Sequence, residues 1–365
     1  MRLDIVRSTG LPYVWRRRRD EAGVAALAGS GDAWSNIWRD AARELGAEVS
    51  EMGAGFLEIR RSRAWTRVRN NVTMLDDGAT LRLALEKPVV QRLLLEAGLP
   101  APENIAFEAS DLAPAIAFLA QGPIPCVLKP SNEGAGFGIT TGIRSEADLK
   151  RARVRAARVD RRLIIERQVA GDFYRFLFLD GELLDVVRRR PPRVTGDGRS
   201  TVEQLIAAEN RRRAARRHEV VLRLLRVDLE CILTLQAQGL TLASVVPAGE
   251  TIPLKTVINQ NTSEDNETVR EGIAPELVAQ ARTAAGVVGL RLAGIDVITP
   301  DLGCELRSRG GVILEVNGMP GLNYHYEVAE PERATRVAVP VLEAALASSG
   351  PAWVDAEHRE GASAV

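Results

Sequence analysis

Two short apolar runs late in the chain carry charge where charge is costly. Asp296 interrupts Gly294-Ile295-Asp296-Val297-Ile298, and Glu315 and Asn317 punctuate Val312-Ile313-Leu314-Glu315-Val316-Asn317. An ionised carboxylate inside an apolar strand needs a pairing cation or a metal ion. Glu315 and Asn317 are two residues apart and so project from one face of a strand, and pairing of the two runs lets Asp296 share that face. Two carboxylates and an amide oxygen are a hard, all-oxygen set suited to Mg²⁺ carrying nucleotide phosphates, with Mn²⁺ as a substitute. Polar residues on a solvent-facing edge strand are the structural alternative.

A second constellation lies upstream. Pro125-Cys126-Val127-Leu128-Lys129 reads as a buried strand that delivers a lysine to its end, and Glu133, Gly134, Gly136 and Gly138 follow in a glycine-rich loop. Glycines let backbone N–H groups approach phosphate oxygens, and the nearby ammonium adds a point charge. The lysine precedes the glycines and no GK[ST] follows, so this is not a Walker A loop. No helix opens directly after the glycines, so it is not a dinucleotide fingerprint either.

These groups need elements to hold them. A helix is predicted over Ala33–Leu45 from Trp34, Ile37, Trp38, Ala41 and Leu45, with strands at Leu3–Val6, Phe56–Ile59 and Ala64–Val68. Glu86–Gly98 reads as a helix closed by Gly98, and Asp111 as the N-cap of a helix through Gln121. Ile124–Leu128 and Leu163–Glu166 read as strands around a helix at Ser145–Val159. Tyr174–Leu179 and Glu182–Val187 flank Asp180-Gly181, the preferred dipeptide of a two-residue hairpin. Beyond an amphipathic stretch at Glu203–Leu225 come a strand at Thr251–Ile258, a helix at Pro275–Leu290, paired strands at Ala293–Thr299 and Val312–Val316, and a closing helix at Arg336–Ser348. Strands and helices mix without a strict alternating period, so the class is α+β or mixed α/β.

The order of these segments resembles the ATP-grasp carboxylate–amine ligases, most nearly the ATP-grasp half of the cyanophycin synthetases without their Mur-ligase-like half. The likeness runs from about Phe56 to Tyr326 and rests on Glu86-Lys87, Lys129–Ile139, Val194-Thr195-Gly196-Asp197-Gly198, Gly294–Asp296, and Glu315–Leu322 with His325. It implies an ATP-grasp fold whose two lobes sandwich ATP. The units expected are an N-terminal α/β domain (1–85), a small lobe (86–170), a large lobe with the metal site (171–349) and a flexible tail (350–365). By the same resemblance Lys87 and Lys129 bind ATP phosphates, Glu166, Arg167, Gln168 and Val169 supply adenine contacts, and Asp296, Glu315 and Asn317 hold Mg²⁺.

Arg175 matches a family arginine near the substrate carboxylate, and Gly321 and His325 fall at positions near the substrate. Where relatives place an acid two residues before that arginine, to contact the ribose, this chain has Phe173, with Asp172 one residue earlier. Relatives carry Leu-Arg and an Asn-led glycine loop that holds the acyl phosphate. Here Leu254-Lys255 and Asn259 keep that pattern while the glycine pair is absent. The activity implied is ATP- and Mg²⁺-dependent joining of an amino-acid or peptide carboxylate to an amine, with ADP and phosphate released. A small-molecule kinase and a non-catalytic nucleotide-binding scaffold are the alternatives. The resemblance also implies a homo-oligomer.

Composition narrows the field. Lys+Arg and Asp+Glu are each 48, so no net field draws the chain to nucleic acid or to an anionic membrane, despite the clusters Arg16–Arg19 and Arg211–Arg213 with Arg216 and Arg217. Three scattered cysteines fit a reducing compartment, and the short apolar stretches predict a soluble, cytoplasmic protein. Only four of the 48 cationic residues are lysine: Lys87, Lys129, Lys150 and Lys255. Ammonium and guanidinium are not interchangeable at a phosphate. Lys255→Arg is therefore expected to change the rate of ADP release and Lys150→Arg to leave it alone; equal rates in both variants refute the inference.

Overall fold

A computed structural model describes residues 30–131, 136–215 and 224–348. The expected strand at Leu3–Val6, the basic run Arg16–Arg19, the tail 350–365, Glu133, Gly134, Arg216 and Arg217 lie outside the described residues.

Helix α1 (Ser30–Glu44) packs on an antiparallel sheet of β1 (Glu48–Gly53), β2 (Phe56–Arg61) and β3 (Ala64–Val68). The chain continues through α2 (Gly78–Leu85) and α3 (Lys87–Glu96) into β4 (Asn104–Glu108), α4 (Ala113–Gln121), β5 (Cys126–Pro130), β6 (Thr140–Ile143), α5 (Glu146–Ala156) and β7 (Arg162–Arg167). The four strands of this stretch form one sheet in the order β4-β7-β5-β6. Its core holds Phe107, Phe118, Leu128, Ile143, Leu149, Leu163 and Ile165. Helix α4 starts one residue later than expected. Asp111 still accepts from the Ala113 N–H at 3.0 Å, as an acid ahead of a helix does.

A second sheet carries the C-terminal half. β8 (Asp172–Leu179) and β9 (Glu182–Arg189) form the expected hairpin. Both turn residues have positive φ, +48° at Asp180 and +82° at Gly181, as a type I′ turn requires. After β10 (Arg193–Thr195), α6 (Val202–Ala215), α7 (Leu229–Ala237), β11 (Thr251–Pro253), β12 (Asn266–Thr268) and α8 (Pro275–Val288) come β13 (Leu292–Thr299), β14 (Val312–Asn317) and α9 (Ala338–Ala347). The sheet order is β12-β9-β8-β13-β14, with β10 and β11 forming a separate ribbon. The strand expected over Thr251–Ile258 stops at Pro253, because the N–H groups of Thr256 and Val257 donate to the Glu230 carboxylate rather than to a neighbouring strand.

The two faces of the five-stranded sheet differ sharply. One presents Phe176, Phe178, Val186, Ile295, Val297 and Val316 to α8 and α3, whose Val90 and Leu94 share this core. The upper part of the other face, at Leu177, Leu179 and Leu292, is covered by the N-terminal unit and α9 through Trp38, Ile59, Val341 and Leu342. What is left of that face is polar. The N-terminal unit therefore shares a core with the second sheet. Trp38, which is buried and donates its indole N–H to the Asn70 carbonyl at 2.7 Å, is its anchor. Trp38→Ala is expected to cost about 3–5 kcal/mol, read as a lower urea midpoint for the second sheet as well as for the N-terminal unit. Loss of the N-terminal unit alone contradicts the shared core.

Candidate active site

The polar floor follows from strand register. Arg175 on β8 faces Asp296 on β13, Asp296 faces Glu315 on β14, and Gly294 faces Asn317. Side chains two apart share a face, so Asp296, Glu315 and Asn317 stand together with Arg175. On the other side of β8, Arg175 faces Val187, which puts Asp185 and Arg189 of β9 on the same floor. A bulge after Asp296 leaves the rest of the hairpin out of simple register.

Asp296 and Glu315 on this floor each have a cation beside them. Arg175 grips Asp296 with two nitrogens, Nη2 lying 2.9 Å from Oδ2 and Nε against Oδ1. Lys87 Nζ lies 2.6 Å from Glu315 Oε1. Burial pushes the Glu315 carboxyl up, yet Lys87, with Lys129 and Arg175 adding, holds it below the usual carboxylate range. Asn317 Nδ2 donates to the Gly294 carbonyl and to Asp296 Oδ2, both at 3.2 Å. Lys129 Nζ lies 2.6 Å from Glu166 Oε2 at the other sheet, where Val127, two residues before Lys129, is the register partner of Glu166.

Among the described residues no group of three His, Cys, Asp or Glu side chains is placed to hold a metal ion. The set formed by Asp296, Glu315 and Asn317 has only two carboxylates. It fits a divalent ion that takes its remaining oxygens from phosphates, which is how Mg²⁺ is usually carried.

The other expected site residues divide. Gln168 and Val169 follow β7 in the link to β8, and Gln168 Oε1 accepts from the Gly142 N–H at 2.8 Å. The Arg167 side chain turns into the first lobe, donating to the Phe118 and Pro123 carbonyls and lying 3.9 Å over the Phe118 ring. Any adenine contact at that position therefore falls to its backbone. Asp172 pairs with Arg188 at 2.6 Å on the opposite face from Arg175. Gly136 and Gly138 hold φ of +73° and +76°, and a Cβ on Gly136 would meet Asn259 Nδ2 at 2.4 Å. The glycine loop and the Asn259 loop are thus in contact.

Lys255 is buried away from the polar floor. Its Nζ lies 2.6 Å from Asp228 Oδ2 and 3.8 Å from Glu230, and Arg155 of the first lobe takes Asp228 at 2.6 Å. Through Asp228 it is linked to Arg155 of the first lobe. A cavity of about 520 Å³ lined by Arg193, Thr195, Glu209, Arg212, Arg213 and Asp265 lies outside this constellation. Its guanidinium groups are held by Glu209, Glu264 and Asp265.

Sequence reasoning missed Arg189. It is 4% exposed, its Nε has no hydrogen-bond partner among the described residues, and its guanidinium lies 3.6 Å from the centroid of the Tyr324 ring. Nη2 reaches Asn261 Oδ1 at 3.4 Å. Burial and the like charge of Arg175 lower its pKa. Three adjacent arginines, Arg188 to Arg190, stand in an arginine-rich chain, and only the sheet register separates the middle one from its neighbours.

Gly321 opens the turn Leu322–His325 that brings Tyr324 over Arg189. His325 is fully buried, with Nδ1 2.7 Å from Asp185 Oδ2, and Thr335 donates to the other Asp185 oxygen at 2.9 Å. Burial lowers the His325 pKa below 6.5, with Arg175 and Arg189 pushing the same way against Asp185. The folded state therefore keeps His325 neutral while the unfolded chain protonates it near pH 6.5, so stability falls as pH drops through that value. Against His325→Asn, the native protein is expected to lose up to about 1.4 kcal/mol per pH unit below pH 6.5, read from melting temperatures between pH 7.5 and 5.5. A constant gap between the two proteins contradicts a buried neutral histidine.

The family described as "D-ala D-ala ligase C-terminus" matches residues 93–187. A cyanophycin synthetase of Nostoc is 33% identical over 306 residues, covering 80% of this chain and 34% of the relative. The glutathione biosynthesis bifunctional protein GshAB of Streptococcus mutans is 31% identical over 287 residues, 76% of this chain and 38% of the relative. The chain thus spans about a third of the length of the curated relatives it matches. Its fold is similar to that of a bifunctional glutathione synthetase from Pasteurella multocida, with a TM-score of 0.53 at 24% identity over 83% of this chain and 42% of that one.

Proposed function

We propose that this chain, which belongs to the ATP-grasp family, is a ligase that activates an amino-acid or peptide carboxylate with ATP and joins it to an amine. The observation that carries this reading is the polar floor: Asp296, Glu315 and Asn317 on one face of a buried sheet, with Lys87, Arg175 and Arg189 around them. In the reaction, a donor carboxylate oxygen attacks the γ-phosphorus of ATP, the bond to the bridging oxygen breaks, and ADP leaves. An amine nitrogen then attacks the resulting acyl carbon, phosphate departs with the anhydride bond, and the amine proton passes to solvent.

Phosphoryl transfer asks the protein mainly for positioning and charge compensation. In this reading Lys87 and Lys129 would meet the phosphates, with the amides of the glycine loop. Gln168 and Val169 border the link where the base would lie, next to the Arg167 backbone. A bound Mg²⁺ or Mn²⁺ would be held by Asp296, Glu315 and Asn317 and would neutralise phosphate charge.

Arg175 is already matched to Asp296, whereas no described carboxylate pairs with Arg189. Arg189 is therefore the guanidinium left to face the anion that develops on the substrate. Tyr324 fixes its plane, and Asn259 and Lys255 hold the loop that closes against the glycines. His325 and Gly321 shape the turn that carries Tyr324. Small amino-acid or peptide substrates and a homo-oligomeric assembly in the cytoplasm complete the reading.

The test is ADP release over a panel of amino acids and dipeptides, with condensation products followed by mass. ADP and a new amide are expected; AMP, or no release above background with any pair, overturns the assignment. Removing a fixed oxyanion-type donor costs about 2.7–4 kcal/mol. Arg189→Gln is accordingly expected to lower kcat about a hundredfold or more with the KM for ATP within threefold.

A further inference from the structure

Lys87 has a place in the proposed reaction, but the chain that delivers it has not been assigned one. Between Asn71 and Lys87 that chain touches the two metal-face strands or the residues flanking them at four places. Asn71 Nδ2 donates to the carbonyl of Met319, two residues beyond Asn317. Asp76 accepts from the Arg291 N–H at 2.7 Å and the Leu292 N–H at 3.2 Å, where β13 begins. Helix α2, N-capped by Asp77, lays Leu81 and Ala84 against Gly318, where a Cβ would come within 3.1 and 3.3 Å of them. Lys87 then reaches Glu315.

These contacts fall at the end of the β13–β14 pair that no connection closes, where β13 is also paired with β8 (Leu292 opposite Leu179) and β14 is the edge strand. The strands are antiparallel, with Gly294 opposite Asn317, so the start of β13 and the end of β14 lie at the same open end. The far end is joined by the long connection 300–311, and the bulge after Asp296 interrupts register between that connection and the site. A slip of one residue would carry Glu315 and Asn317 to the apolar face. Asp76 holds one strand at the open end and Asn71 holds the other.

We infer that the segment 71–87 is a strap that fixes the metal-face strands in register, with Asn71 and Asp76 as positioning residues for the divalent cation taken by Asp296, Glu315 and Asn317. The inference rests on the metal set proposed above. Neither residue touches that set directly, so their effect should show in metal affinity and spare the nucleotide.

The experiment is a Mn²⁺ titration of the full chain by electron paramagnetic resonance, with a non-hydrolysable ATP analogue present. Affinity of the same analogue is measured separately without metal. Loss of a group bonded directly to a metal ligand typically weakens metal affinity about 10–100-fold, and residues one step farther out act at the low end of that range, so Asn71→Ala and Asp76→Ala are each expected to weaken Mn²⁺ about tenfold. Metal-free analogue affinity is expected to stay within twofold. Asp76→Asn keeps a neutral acceptor for the Arg291 N–H and is expected to recover part of the loss; if Asp76→Ala does not fold, it and Asn71→Ala carry the test. Mn²⁺ affinity within twofold of the unaltered chain, or a parallel fall in metal-free analogue affinity, overturns the positioning role. Failure of the unaltered chain to bind Mn²⁺ overturns the metal set itself, and the strap's role with it.

Discussion

An ionised carboxylate taken out of water without a partner costs several kcal/mol. The second sheet of this protein is organised around that fact. Asp296 stands at the middle of an apolar strand and is gripped by Arg175 from the strand alongside, both almost fully buried. Glu315 is matched by Lys87 and, on the other sheet, Glu166 by Lys129. Asp185 is matched differently, by a neutral histidine and a threonine hydroxyl. With its acids paired inside the protein, the floor is held by its own side chains. Asn317 contributes to this by donating to Asp296, so that the amide is oriented through the carboxylate it stands beside.

The rest of the architecture buries Asp296 and Arg175 and leaves the Glu315 side chain partly exposed. One face of the sheet is sealed by α8 and α3. On the other, the N-terminal unit and α9 cover the aliphatic end, at Leu177, Leu179 and Leu292, and stop where the charges begin. The N-terminal unit is therefore part of the wall of the site. It supplies the covering of Trp38 and Ile59, and its exit segment runs along the open end of the metal-face strands before reaching Lys87.

Much of this was legible in the amino-acid sequence, for reasons that can be named. Asp180-Gly181 marks a hairpin because two successive residues need positive φ, and they have it. Asp296, Glu315 and Asn317 stand out because acids are rare in aliphatic strands, and antiparallel pairing brings Asp296 and Glu315 face to face. Arg189 was not legible, since an arginine among 44 carries no signal by identity and its face is set only by pairing with β8. The overlong strand at Thr251–Ile258 failed for a related reason. Its β-favourable residues are there, but a glutamate on a helix more than twenty residues upstream takes the N–H groups a neighbouring strand would need. Strand β1 passed unseen because five of its six residues are exposed, and β4 because it offers only Ile105 and Phe107 as alternating apolar residues.

Helix α7 has a mechanical consequence. Although it follows the second sheet's hairpin in the chain, it lies against the first lobe: Leu229 packs with that lobe's core, and Leu233 sits opposite Gly142 of β6. Asp228 at its start is tied to Arg155, and Lys255 and Thr256 beyond it are tied to Asp228 and to Thr141. The other side of the helix, at Cys231 and Leu235, belongs to the cluster of β10, β11 and α6. The two lobes are thus joined by the links from α3 to β4 and from β7 to β8, and also by a splint that leaves the large lobe, crosses, and returns. Any displacement of one lobe against the other must therefore bend the crossings near 225–228 and 254–256 along with those two links, so the splint adds stiffness that the links alone would not give.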